Sequence, residues 1–305
     1  MSRNELSYKN GIPLAAFSGS LIDYPLREAM EIAAELGFGG IEIACRSPHL
    51  GLDTPLDEVR ELGEYAAGLG LRIPALAGYA GYFSTLNDEE CDAAMEDFRK
   101  LLRIAEELSV PYIRIFPGGP NAFLAEDQHY ERAAYYIRKC IAEADDSGIR
   151  LLIEIHNQTL VEDADSALRL LELTGGSGIG FIHDAGNMYI AGVDYGDASV
   201  RKLGSHMTHI HIKDEKRIAI EGAEGSFSNR TRHGMETFMQ CRLGEGAVDH
   251  RPMLAAVLEN GYDGWITLEC AAPFPPKGRL AYDLAEIIGQ LEALREGKKS
   301  SSLDS

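Results

Sequence analysis

The chain has no long hydrophobic run. No stretch approaches the roughly 18 consecutive apolar residues of a membrane-crossing helix, so no spanning helix is expected. Met1 to Asn10 is polar and carries no apolar core of a secretory signal, so the expected location is the cytoplasm. Cysteine is scarce: Cys45, Cys91, Cys140, Cys241 and Cys270, an odd number with no Cys-x-x-Cys pair. This argues against a disulfide framework or a thiolate zinc site, and Cys270 reads as a packing cysteine. Positive charge is in short supply, with 29 Lys and Arg against 48 Asp and Glu, a net −19. Such a surface repels phosphate backbones, so nucleic acid is not an expected partner. A Gly-x-Gly-x-x-Gly turn is also missing. The first apolar run ends in Phe17-Ser18-Gly19-Ser20, which argues against an open dinucleotide-binding sheet.

What the chain has is alternation. Short apolar runs at 12–17, 40–44, 71–77, 111–116, 150–156, 178–184, 207–213 and 264–269 read as strands. Between them, helical spacing covers 25–36, 55–69, 87–108, 127–147, 162–173, 194–203, 249–260 and 278–295. Pro25 suits a first helical turn and Gly37 a stop, and Asn87-Asp88 suits an N-cap. The runs are continuously apolar, as in a parallel sheet covered on both faces. The expected fold class is α/β, a single (β/α)8 TIM barrel over residues 1–296, with 297–305 a disordered tail. Gly78 to Phe83 reads as a loop over a pocket, where Tyr79, Tyr82 and Phe83 could wall a sugar ring. The polar stretch 214–244 reads as a solvated loop or as a lid carrying Lys216, Arg217, Arg230, Arg232 and His233.

Barrel active sites lie at the C-terminal ends of the strands. Here four successive strands end in metal-binding side chains: Glu154 and His156, then Asp184, then His209 and His211, then Glu269. Alternate residues of a strand share a face, so His209, His211 and Lys213 point together. Several carboxylates buried side by side are costly without a cation. Three carboxylates and one imidazole suit Mn²⁺, Mg²⁺ or Co²⁺, and Zn²⁺ less well. His183 faces the opposite way and reads as structural, while Glu42 and Arg46 share a parity that suits either the pocket or an internal salt bridge.

These pieces resemble the xylose-isomerase-like TIM barrels, specifically the sugar phosphate isomerase/epimerase group with its tagatose/psicose epimerase, inosose isomerase and inosose dehydratase relatives. The matching segments are Glu154-Ile155-His156-Asn157, Asp184-Ala185-Gly186-Asn187, His209 through Asp214, Leu243 through Gly246, and Gly261 through Glu269. The resemblance implies one divalent metal ion on Glu154, Asp184, His211 and Glu269, with His209 behind His211. It implies substrate contacts from Arg217 and Lys213, and His156, His209 and Asn187 are expected to join them. It further implies an isomerase or epimerase of a sugar or cyclitol ketone working through a metal-stabilised enediolate, with Glu154 and Glu269 as base and acid. Expulsion of a β-substituent from the same intermediate would instead make a dehydratase or lyase, and a barrel without turnover would be a binding subunit. Tagatose-type epimerases carry a histidine where this chain has Asn187 and a glutamate where it has Leu160, which sets simple ketohexose epimerisation in doubt. The related apurinic endonucleases also use a histidine at the Asn187 place, so DNA repair is not expected. The expected partner is a small sugar or cyclitol. Monomer and homo-oligomer both stay open.

Overall fold

The chain's apolar runs and helical periods condense, in the computed structural model, into one closed parallel barrel; residues 11–220 and 222–303 are described, with side chains to 297. The barrel strands are β1 (Leu14–Phe17), β2 (Gly40–Ala44), β3 (Leu76–Gly81), β4 (Tyr112–Phe116), β5 (Arg150–Glu154), β6 (Ile179–Asp184), β7 (Met207–Ile212) and β11 (Trp265–Leu268). They close in the order β1-β11-β7-β6-β5-β4-β3-β2. The helices are α1 (Leu26–Leu36), α2 (Leu56–Gly68), α3 (Asp88–Leu108), α4 (Asp127–Ala144), α5 (Ala164–Leu173), α6 (Ala185–Ala191), α7 (Asp197–Leu203), α8 (Arg251–Glu259) and α9 (Pro276–Leu303). Between β7 and α8 the chain leaves the barrel to form an antiparallel sheet of β8 (Asp214–Ile218), β9 (Ser226–Thr231) and β10 (Gly234–Cys241), in the order β8-β10-β9.

Local chemistry sets the helix ends. Asn87 caps α3 through its side chain to Glu90 N at 3.0 Å, and the Glu90 carboxylate returns to Asn87 N at 2.9 Å. Gly37 closes α1 with φ 95°. The main core fills the space between strands and helices, where Ile153 and Phe181 meet Ile137 and Leu170. The lumen is different. Leu152, Ile182 and Ala75, with Tyr112 against them, form a small apolar floor. Two residues further along each strand, the same face carries Arg114, Glu154 and Asp184, all buried. The pleat therefore stacks a charged layer directly on an apolar one.

Several expectations need correction. The third strand runs 76–81, not 71–77, because Pro74 has no N–H for a ladder; Gly78 to Gly81 is strand rather than loop. The stretch 214–244 is largely a sheet, not a solvated loop. Its signal was the alternation along Ser226–Thr231 and Gly234–Cys241, where Phe227 and Phe238 face each other in register with ring centroids 6.0 Å apart. Helix α6, immediately after β6, was not anticipated. Helix α9 reaches Leu303, into the segment read as a disordered tail, for no proline interrupts it. Residues 1–10 and 304–305 lie outside the described residues. Among the described residues no helix is long and apolar enough to cross a membrane. All five cysteines are buried and free.

At the top of β3, Gly81 has φ 127°, a region L side chains rarely adopt, and a Cβ there would collide with the Phe116 carbonyl oxygen. Gly81→Ala should lower stability by on the order of 2 kcal/mol or more, read as the urea midpoint. An unchanged midpoint would show that this crossing of β3 over β4 yields without strain.

Candidate metal centre

Register assembles the site. Asp184 is paired with His211 across β6 and β7, and His211 with Thr267 across β7 and β11. Glu269 follows Thr267 by two positions and so returns to the same face. Glu154, Asp184, His211 and Glu269 each offer one ligand atom, and these atoms all lie within 4.8 Å of one another. His211 Nδ1 stands 3.3 Å from Glu269 Oε2, 3.5 Å from Glu154 Oε1 and 4.0 Å from Asp184 Oδ2. The four residues expected to bind a metal are thus brought together. Buried His211 Nδ1 has no hydrogen-bond partner of good geometry among the described residues and faces oxygens of three carboxylates. Three carboxylates converging on one imidazole nitrogen fit a divalent cation.

Behind the cluster sits Glu42 of β2, fully buried. Its Oε2 lies 3.0 Å from the Nε2 of both His209 and His211. A carboxylate only accepts, so each imidazole donates its Nε2–H to Glu42. That leaves the lone pair of a neutral His211 on Nδ1, facing the cluster, which is how carboxylates orient metal-binding histidines. His209 Nε2 also meets Thr267 Oγ1 at 2.8 Å. Glu42 therefore makes an internal contact rather than lining the pocket. His209, fully buried beneath His211, is withdrawn from any substrate.

Arg114 is the residue that sequence reasoning missed. It is 2% exposed, donates to Glu154 Oε2 at 2.7 Å, and lies 5.1 Å and 4.9 Å over the rings of Tyr79 and Phe116. The available signal was an arginine inside the apolar run Tyr112-Ile113-Arg114-Ile115-Phe116. Burial would raise Glu154, but the Arg114 guanidinium and nearby histidines outweigh it and hold the carboxyl well below its ordinary value. Asn187 Nδ2 donates to the other oxygen, Glu154 Oε1, at 3.0 Å. Lys213 Nζ is 2.9 Å from Asp184 Oδ2 and 3.0 Å from Glu269 Oε2. Burial again opposes, yet this ammonium holds Glu269 low, at about 2. Asp184 is pushed up to about 7, chiefly by burial. His211 is raised well above its ordinary value: burial opposes, and the carboxylates of Glu42 and Glu269 prevail.

The cluster opens into a cavity of about 590 Å³. His156, Asn187, Lys213 and Glu269 line it, as does Glu215, which the sequence reading did not single out. One wall is aromatic, with Tyr79 and Tyr82 stacked on Phe116 at 6.3 and 5.3 Å. Phe83 is not part of that wall. It is buried against Tyr136, 5.2 Å away. The three-stranded sheet contributes Phe227, Asn229 and Gln240 to the cavity. Arg217 is not brought into it. On β8 its guanidinium pairs with Glu236 at 3.0 Å and is about half exposed, because the strand has by then left the barrel. Lys216, Arg230, Arg232 and His233 do not line the cavity either.

A model of the xylose isomerase-like TIM barrel family matches residues 30–289. The chain belongs to this family. Among curated relatives it is similar to an inosose dehydratase of Clostridium beijerinckii, 28% identical over 254 residues that cover 79% of this chain and 80% of that protein. Among solved structures it resembles an L-ribulose 3-epimerase, with TM-score 0.76 and 17% identity over 95% of this chain and 98% of that one. It also resembles the IOLI protein crystallised with a zinc atom, with TM-score 0.69 and 17% identity over 93% and 96%. At such identities the two structures show the shared fold alone.

Neighbouring carboxylates raise His211 well above its ordinary value and burial pushes Asp184 up to about 7, whereas a metal needs a neutral imidazole and an ionised carboxylate. Affinity for Mn²⁺ should therefore rise from about pH 6 to about pH 8, with protons released on binding. Calorimetry in two buffers of different ionisation enthalpy measures this, and pH-independent binding would refute the protonation pattern. Glu42→Gln, which loosens the hold on His211, should weaken the metal roughly 10- to 100-fold, while an unchanged Kd would leave Glu42 no such part.

Proposed function

We propose that the protein is a divalent-metal-dependent enzyme that removes a proton beside the carbonyl of a polyhydroxylated ketone, a sugar or cyclitol. One observation carries this reading: Glu154, Asp184, His211 and Glu269 bring their ligand atoms within 4.8 Å of one another, and Glu269 also lines a cavity of about 590 Å³ together with Lys213, His156, Asn187 and the aromatic Tyr79, Tyr82 and Phe116. We assign Mn²⁺ first for the oxygen-rich donor set, with Mg²⁺, Co²⁺ and Zn²⁺ as alternatives. A bound cation would supply Lewis acidity to a carbonyl and its neighbouring hydroxyl.

The chain's own groups do the rest. Glu154 and Glu269 are both held as carboxylates, by Arg114 and Lys213 respectively, and are the proton carriers. The bonds from Arg114 and Asn187 to Glu154 fix its two oxygens and so the direction in which a proton can be taken. His156, Lys213 and Asn187 orient substrate hydroxyls, and Tyr79, Tyr82 and Phe116 take the apolar face of the ring. Return of the proton to a different position gives an isomerase or epimerase. A second reading, elimination of a β-hydroxyl group, is supported by the name of the C. beijerinckii relative and by Asn187 and buried apolar Leu160 standing where tagatose-type epimerases carry a histidine and a glutamate. A non-catalytic binding subunit is disfavoured because all four ligand positions are kept. We place the protein in the cytoplasm.

Purified protein should carry or take up near-stoichiometric metal, and with Mn²⁺ it should exchange a C–H beside the carbonyl of 2-keto-myo-inositol or L-ribulose for deuterium. His211→Ala should lose the metal. Glu154→Gln should slow exchange on the order of 100-fold or more. A wild-type protein that takes up no metal would sink the reading.

A further inference from the structure

Glu215 is a fifth carboxyl group at the site and has no part in the scheme above. It is the second residue of β8, where the chain turns out of the barrel. It is 1% exposed yet lines the cavity beside Lys213, Asn187 and Glu269. Its cross-strand neighbour Gln240 lines the same cavity. The carboxyl is seated against Gly186: a Cβ there would collide with Glu215 Oε2 and with the Lys213 stem. A side chain at position 186 would thus displace the acid. Buried Glu215 Oε2 has no hydrogen-bond partner among the described residues. Among the described residues no guanidinium or imidazole is paired with it, unlike Glu154 and Glu42. A buried carboxyl without a partner favours its neutral form.

Resting on the enolising reading above, we propose that Glu215 is the acid that protonates a departing β-hydroxyl group, so that the site eliminates water from its ketone substrate. The base carboxylate, Glu154 or Glu269, takes the proton from the carbon beside the carbonyl, and the C–H electron pair enters the enolate. That pair then forms the carbon–carbon double bond as the β-carbon–oxygen bond breaks. The oxygen takes the Glu215 proton and leaves as water. The proton on the base returns through solvent to Glu215, so one water is lost overall and no redox partner is needed. A separate neutral acid supplies the proton for a poor leaving group directly, without waiting for the base to turn and release the one it has taken. The titration of Glu215 agrees. Burial, reinforced by Asp184, Asp214 and Glu269 and opposed by Lys213, pushes it up to about 8.

The test compares Glu215→Gln with wild type in Mn²⁺-loaded protein on 2-keto-myo-inositol, following deuterium exchange and water loss in the same sample. Glu215→Gln should lower dehydration at least about 100-fold more than it lowers exchange. The defect should shrink below about ten-fold with a β-fluoro analogue, because fluoride departs without a proton. The neutral-carboxyl infrared absorbance of metal-free wild type at pH 7 should fall in the variant by one carboxyl's share, leaving that of Asp184. Exchange and dehydration falling together, or an equal defect with the fluoro analogue, would overturn the proposal and give Glu215 a structural role. Exchange without dehydration in wild type would overturn it and leave an isomerase or epimerase. No exchange in wild type would overturn the enolising reading itself.

Discussion

Everything at the top of this barrel follows from negative charge buried where water does not reach. Glu42, Glu154, Asp184 and Glu215 are essentially inaccessible, and Glu269 is partly buried, its side chain 17% exposed. Burying even one isolated carboxylate is prohibitive, so each must be paired, protonated or placed against a cation. The chain uses all three solutions within one layer. Arg114 pairs Glu154, two imidazoles share Glu42, and Lys213 bridges Asp184 and Glu269. Glu215 is left mainly to burial, which pushes it up to about 8. Three of these carboxylates converge on the inward Nδ1 of His211, and there a divalent ion fits.

The barrel makes this arrangement rigid. Two of the acids stand directly on the apolar floor, as Leu152 lies under Glu154 and Ile182 under Asp184. A shift of one residue in any strand would turn its acid outward into the helices, so the packing of the floor holds the register of the charges. The two carboxylates of greatest chemical interest are held differently. Glu154 has both oxygens fixed by Arg114 and Asn187. Glu269 is tied to a lysine on a flexible stem, which gives it more freedom at the cavity surface.

The excursion between β7 and α8 completes the site from outside the barrel. Its strands bring Phe227, Asn229 and Gln240 over the cavity and carry Glu215 into it, while its basic residues turn elsewhere. Nearly the whole barrel core recurs in proteins named for epimerisation and for dehydration.

Much of this was legible in the chain alone. Eight apolar runs alternating with helical periods specify a parallel barrel, because only burial on both faces makes a strand continuously apolar. The period of two places Glu154, His211 and Lys213 on the inner face, and strand ends name the rim. Other features were beyond any local pattern. An alternating hairpin in a polar stretch resembles a loop until Phe227 meets Phe238. Arg114 looks like an error in an apolar strand until Glu154, forty positions on, is seen to need it. Glu42 and His211 are 169 positions apart, yet one hydrogen bond decides which nitrogen of the histidine faces the cluster. The sequence by itself determined the fold and the candidate ligands, since periodicity and residue type are local properties. Only the tertiary structure decided which acid is ionised, which is neutral and where Arg217 ends up, because charge state and direction depend on neighbours that distant segments supply.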